Sequence, residues 1–208
     1  MKTLGASNNF LAIDSHYSRL DSSAVAIVSA PYEHTVSYGG GAGKGPKAII
    51  DASAYVEFYD DEFNRELCFD IGIATMKPIA FGKAVHEKAL AIIEKQVSAL
   101  LDKGKFVVTL GGEHTISTAP IKAHFKKYPK MSVLHFDAHS DLRDEYEGTP
   151  YSHACFMSRV CEFMKPSNIT QVGIRAQCKE EAEFIKKKGV NTFYASAIRR
   201  NEIGRAHV

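Results

Sequence analysis

The sequence predicts an α/β protein built on a mainly parallel sheet with helices on both faces. Two observations predict it. Short apolar, β-branched runs alternate along the chain with longer segments whose apolar residues recur every three to four positions. The runs are also apolar along their whole length, as strands covered on both faces are.

The first run is SAVAIVS at 23–29, ending before Pro31. A glycine-rich stretch, SYGGGAGKGP, follows at 37–46 and predicts a loop. Pro46 suits the first turn of a helix over 47–58. The clearest helix is expected over 84–103, where Val85, Ala89, Ile92, Ile93, Val97, Leu100 and Leu101 form one stripe and Gly104 is the stop. FVVTL at 106–110 predicts a strand ended by Gly111 and Gly112, and a helix is expected over 117–127. SVLHF at 132–136 predicts the next strand and runs directly into Asp137. A helix over 152–163, a strand over 170–174, a helix over 179–188 and a strand over 191–194 complete the alternation. There is no internal repeat and no low-complexity segment.

Bulk properties exclude several classes. The chain has 208 residues, 45% hydrophobic and 24% charged, which is ordinary for a soluble globular protein with a real core. A formal net charge of +2, with dispersed basic residues, argues against nucleic acid or an anionic membrane as partner. No apolar run approaches the ~20 residues of a spanning helix. The N-terminus lacks the compact apolar stretch of a signal peptide. Cys68, Cys155, Cys161 and Cys178 form no C-x-x-C pair, so they are read as reduced thiols of a cytoplasmic protein.

The chemistry gathers at two strand ends. Gly111-Gly112-Glu113-His114 follows FVVTL, and Asp137-Ala138-His139-Ser140-Asp141 follows SVLHF. In open parallel sheets, ligands bind just beyond the carboxyl ends of strands. Asp137, His139 and Asp141 alternate along a chain leaving a strand. In extended or turn geometry such positions can converge, as they cannot on a helix. Joined by His114 from a neighbouring strand end, they make an oxygen and nitrogen ligand set without sulfur. Crowded like charges beside an apolar core are costly without a cation. The carboxylate share favours manganese over iron or zinc. A shared carboxylate can bridge two ions, and paired ions are a known source of hydroxide at neutral pH. The glycine-rich loop lacks the G-x-x-x-x-G-K-[ST] spacing of a phosphate cradle and is read as a conformational loop near the site's rim.

GGEHT, then SVLHFDAHSDLRDEYEGTPYSHA, then QVGIRA resemble the successive motifs of the arginase/agmatinase/deacetylase-fold ureohydrolases. VSAPYEHTVSYGGGAGKGPKAI resembles the family's early loop, so the likeness runs from about Ala24 to Arg199. The resemblance implies a three-layer arginase-like fold, here lacking its last strands and helices. It implies that His114, Asp137 and Asp141 hold one manganese ion, and that Asp137 bridges to a second ion bound by His139. It implies a proton-shuttling role for His153. By itself His153 would read as a helix N-terminal histidine with no special task. Asp144, Glu145 and Glu147 read as a solvated acidic loop, the alternative being that they help hold a cationic substrate tail.

The family's later D-x-D motif is not found, which leaves the second ion two protein ligands and predicts weak metal binding and little turnover. The last seven residues, EIGRAHV at 202–208, match one reading frame of a common sequencing adapter. They are read as a non-native tail on an incomplete single domain of residues 1–201. The implied activity is hydrolysis of agmatine to putrescine and urea, a step of polyamine biosynthesis, by an enzyme expected to be a homo-oligomer at full length. The alternatives are an arginase, guanidinobutyrase or formiminoglutamase type of hydrolase, or a non-catalytic partner or metal-binding paralogue.

Overall fold

The computed structural model describes residues 1–200, so the expected tail at 202–208 lies outside the described residues. Backbone proximity divides the chain into two compact units, Met1–Ala123 and the residues from His124 onward.

The first unit runs α1 (Ser15–Ser18), β1 (Val25–Ala30), α2 (Gly45–Ser53), α3 (Leu67–Ile71), β2 (Ile73–Thr75), α4 (His86–Leu101) and β3 (Phe106–Gly111). The strands form one parallel sheet in the order β2-β1-β3. β1 is central, and from Ala26 to Ala30 every residue is buried, as the continuous apolar run predicts. α2 and α4 pack against β1 and β3. On α4 the residues Ala89, Ile93, Val97 and Leu100 are fully buried, which is the predicted stripe. Gly104 follows with φ +73°, the left-handed conformation that suits a helix stop.

Two helices are shorter than the periodicity predicts. α2 ends at Ser53, where an end at 58 was expected. The Ser53 hydroxyl donates to the Ile50 carbonyl at 2.6 Å and accepts the Leu11 N–H at 2.7 Å. That local bond competes with helix propagation, and beyond it Tyr55 and Val56 are exposed. α4 begins at His86, after an extended Val85, because the His86 N–H is held by the Tyr32 hydroxyl at 2.9 Å. α3 and β2 were not predicted, being only five and three residues long.

α5 (Thr118–Lys127) leads into the second unit, which runs β4 (Val133–Phe136), α6 (Phe156–Cys161), β5 (Ile169–Ile174), α7 (Lys179–Lys188), β6 (Asn191–Tyr194) and α8 (Ala195–Arg200). A second parallel sheet has the order β4-β5-β6. Its strands and α7 lie where the sequence places them. The helix expected over 152–163 is instead a 3-10 turn at His153–Cys155 followed by the short α6.

Pairing aligns Phe136, Val172 and Phe193 in one row and His135, Gln171 and Thr192 in the next. Adjacent rows face opposite sides of the sheet. Burial is the reverse of what hydropathy suggests. Gln171 is 0% exposed and His135 6%, while Phe136 is 72% exposed and Phe193 57%. The expectation of strands covered on both faces is therefore corrected for β4: Leu134 and Phe136, on one face, are exposed. The buried face takes the polar row because those groups hydrogen-bond to one another and to the loop beyond β4.

Candidate metal centre

The loop after β4 carries the D-x-H-x-D motif, and it is fixed on several sides. It first continues alongside β5. The Asp137 N–H donates to the Val172 carbonyl at 3.1 Å, and the Arg175 and Ala176 N–H groups donate to the Ala138 carbonyl at 2.8 and 2.9 Å. A register shift between Val172 and Ile174 is centred on Gly173, which has φ +92°. A Cβ there would meet the Asp137 carbonyl at 3.2 Å, so glycine serves both the bulge and the close approach.

The loop then turns sharply. Asp141 has φ +52°, a conformation that Asp and Asn adopt more readily than other side-chain-bearing residues. Its carbonyl accepts the N–H groups of Met157 at 3.0 Å and Ser158 at 3.3 Å, which are first-turn donors of α6. On the opposite side stands Glu181, buried in the first turn of α7. One of its oxygens accepts the Ser140 hydroxyl at 2.9 Å and the Leu142 N–H at 2.8 Å. The other accepts the Cys178 N–H at 2.7 Å and caps the helix. Glu181 thus pins the residues on both sides of Asp141.

Within this unit His135, Asp137 and Asp141 each bring a possible ligand atom within 4.8 Å of the others. The Asp137 Oδ1 accepts the His139 N–H at 2.8 Å, and its Oδ2 lies 3.2 Å from His135 Nε2. The donor set is carboxylate and imidazole, and Asp141 is buried. Two carboxylates so close in a partly buried site fit a divalent cation, because without one their mutual repulsion is poorly screened. Sulfur is not part of the set. Cys155 is nearby in sequence, but burial pushes its thiol up to about 11.

The predicted residues divide. Asp137 and Asp141 come together as expected. His139 is beside them, with Nδ1 3.6 Å from Asp137 Oδ1, but its side chain is 65% exposed. His153 sits on the 3-10 turn with its Nδ1 3.3 Å from the Ser152 hydroxyl and its ring edge-on to Tyr146. Asp144 accepts the Ser158 hydroxyl at 3.1 Å and faces Arg159, consistent with a solvated loop tied to α6. His135, Gln171, Ser140 and Glu181 were missed. The signal available for two of them was a polar residue inside an otherwise apolar strand.

His114 belongs to the first unit, opening the 3-10 turn His114–Ser117 after β3. Its neighbour Glu113 is a buried carboxylate that accepts the His34 N–H at 2.8 Å, the Thr35 N–H at 2.5 Å and the hydroxyls of Thr35 and Thr115 at 2.8 and 2.7 Å. Four donors replace its hydration and anchor the start of the glycine-rich loop to the strand end. Glu33 holds the arch of that loop, accepting the Gly41 and Gly43 N–H groups at 2.6 Å each. Those two amides, Gly43 foremost, hold its carboxyl below the usual range.

Residues 23–207 match the Arginase family. This chain belongs to the arginase family. It is 43% identical over 185 residues to "Agmatinase" of Bacillus anthracis, covering 87% of this chain and 62% of that protein. It is 37% identical over 183 residues to "N(1)-aminopropylagmatine ureohydrolase" of Synechocystis sp., covering 86% and 59%. Among solved structures, the agmatine ureohydrolase of Thermoplasma volcanium superposes with a TM-score of 0.82 at 27% identity, over 93% of this chain and 64% of that one. The chain therefore spans about three-fifths of the length of these arginase-family relatives. No helix among its described residues is long and apolar enough to cross a membrane.

Proposed function

We propose that the chain is the metal-binding portion of a manganese-dependent ureohydrolase that converts agmatine and water to putrescine and urea. The observation that carries this reading is the pairing of half-buried Asp137 with buried Asp141 at the carboxyl end of β4, in a loop held by Glu181 and α6. The relatives named agmatinase supply the substrate preference.

On this reading His114, Asp137, His139 and Asp141 would hold the ions, with Asp137 shared between them. Bound manganese supplies Lewis acidity and a nucleophile at neutral pH. The carboxylates hold the charge that balances the cations, and the Asp141 turn sets their direction. His153 hands a proton to the leaving amine, with Ser152 and Tyr146 orienting its ring. The substrate is a small guanidinium cation, and the assembled enzyme is a cytoplasmic homo-oligomer.

A second reading, cleavage of N(1)-aminopropylagmatine, is favoured by the Synechocystis relative. Urea release should be measured with manganese on agmatine, N(1)-aminopropylagmatine, arginine and guanidinobutyrate, using this chain and a version completed to the relatives' length. The completed protein is expected to prefer agmatine. Faster turnover of arginine would overturn the choice, and faster turnover of the aminopropyl compound would select the second reading.

A further inference from the structure

We propose that Gln171 is a positioning residue, which places the ring proton of His135 on Nε2 and so makes His135 a hydrogen-bond donor to Asp137 instead of a metal ligand. The inference rests on the metal reading above and adds to it the residues that aim its central carboxylate.

The carbonyl oxygen of Ser140 only accepts hydrogen bonds, and the Gln171 side-chain amide lies 2.8 Å from it. The atom facing that carbonyl is therefore the amide nitrogen, Nε2. The same nitrogen lies 3.0 Å from His135 Nδ1. Its second N–H points there, so Nδ1 accepts and carries no proton. The ring proton then sits on Nε2, 3.2 Å from the Asp137 Oδ2, to which it donates.

The opposite orientation of the amide can be weighed against this one. It would set the Gln171 oxygen against the Ser140 carbonyl, and the His135 Nε2 lone pair against the Asp137 carboxylate. The first is a fully buried contact between two acceptors, and the second, for a neutral ring, adds an acceptor against a half-buried carboxylate. The orientation adopted costs one unpartnered acceptor, since Gln171 Oε1 is buried without a hydrogen bond. One orphaned oxygen is the smaller penalty.

Strand register makes the arrangement possible. His135 pairs with Gln171 across β4 and β5, so the two side chains share the buried face. Phe156 packs edge-on to the His135 ring at 5.2 Å between centroids and limits its rotation. A ring so held cannot offer Nε2 to a cation without giving up its proton to Asp137. His135 thus belongs to the partners that orient a ligand, a class whose loss typically costs roughly 10–100-fold in metal affinity.

The test reads the proton directly. Long-range 1H–15N spectra of the imidazole nitrogens in the 208-residue chain, without added metal, are expected to show His135 with its proton on Nε2. Gln171→Glu places an acceptor opposite Nδ1 and is expected to move a proton there, and Gln171→Leu to broaden or mix the two patterns. Manganese affinity, followed by electron paramagnetic resonance of the free ion, should fall roughly 10–100-fold in both variants. A wild-type spectrum with the proton on Nδ1 would overturn the proposal without reference to any variant. So would unchanged affinity in a folded Gln171→Glu protein. If the wild-type proton is on Nε2 but no manganese binds, the metal reading fails and the Gln171–His135 assignment stands.

Discussion

The buried carboxylate of Glu181 accepts the backbone N–H of Leu142 at 2.8 Å, tying the first turn of α7 to the loop that carries Asp141. Glu181→Ala would leave that N–H, the Ser140 hydroxyl and the Cys178 N–H without their acceptor. Buried groups left unpaired cost ~1–3 kcal/mol each, so a loss of about 3 kcal/mol is expected after partial rehydration. Glu181→Gln retains one acceptor oxygen and should lose about half as much. Thermal unfolding of the two variants checks the ranking, and equal melting temperatures for both would remove Glu181 from this role.

Gly112 packs against the chain at Tyr32. A Cβ at Gly112 would sit 1.9 Å from the Tyr32 carbonyl oxygen, which is backbone and has little room to move. Gly112→Ala is expected to destabilise the first unit by about 3 kcal/mol or more. Gly5→Ala, which meets nothing within 4 Å, should be neutral. Unfolding of the pair in urea is the measurement, and a neutral Gly112→Ala would contradict the packing.

The contrast between those two glycines shows how far the sequence alone can be read. β1, β3, β4, β5, β6 and α7 were legible because apolar runs and helical stripes are local patterns, and the D-x-H-x-D motif was legible because three ligand types crowd into five residues. Gln171 and Glu181 were not. Their roles depend on strand register and on which turn of α7 meets the loop, and neither quantity is written in local spacing. The early end of α2 was hidden for a similar reason, since the Ser53 hydroxyl is drawn off by Leu11, 42 positions away in sequence. The exposed aromatic row on β4 and β6 was misread because apolar composition speaks of a potential to be covered, and the covering surface is not part of the strand.

The glycine-rich loop should loosen in acid. The Gly43 and Gly41 amides favour the charged form of Glu33, so its folded-state pKa lies below the ordinary 4.5. A depressed carboxyl contributes its stabilisation fully above the unfolded value and loses it as the pH falls through the folded one. Hydrogen exchange at the Gly41 and Gly43 amides, corrected for intrinsic rates, is expected to show protection that persists at neutral pH and fades as the pH falls through the lowered folded-state value, below the ordinary 4.5. Glu33→Gln should abolish the pH dependence while the rest of the fold remains protected. The same pH dependence in the wild type and in Glu33→Gln would separate the loop from Glu33.

The thiols should be slow to react in the folded state. Burial pushes both Cys155 and Cys161 up to about 11. At pH 8 the thiolate fraction of such a group is about one in a thousand, and the thiolate is the nucleophile. Labelling with a disulfide reagent at pH 8 should therefore leave Cys155 and Cys161 unmodified on a timescale that modifies all four cysteines in denaturant. Rapid native labelling of Cys155 would contradict its enclosure.

Asp141 offers the cleanest separation of charge from backbone. Its φ of +52° is accessible to asparagine, so Asp141→Asn preserves the turn and removes one of two carboxylates whose oxygens lie within 4.8 Å. Asp141→Ala removes the charge too, but forces a residue with no local hydrogen bond into the left-handed region, at a cost of roughly 1 kcal/mol. Without metal, Asp141→Asn is expected to melt at or above the wild-type temperature, because like-charge repulsion is relieved, and Asp141→Ala below it. With manganese the order should invert, because a ligand that binds only the folded state raises stability in proportion to the logarithm of its concentration over Kd. The wild type gains that increment and Asp141→Asn loses most of it. An equal upward shift of both proteins on adding manganese would mean that the ion is bound elsewhere, and Asp141 would then be a turn residue alone.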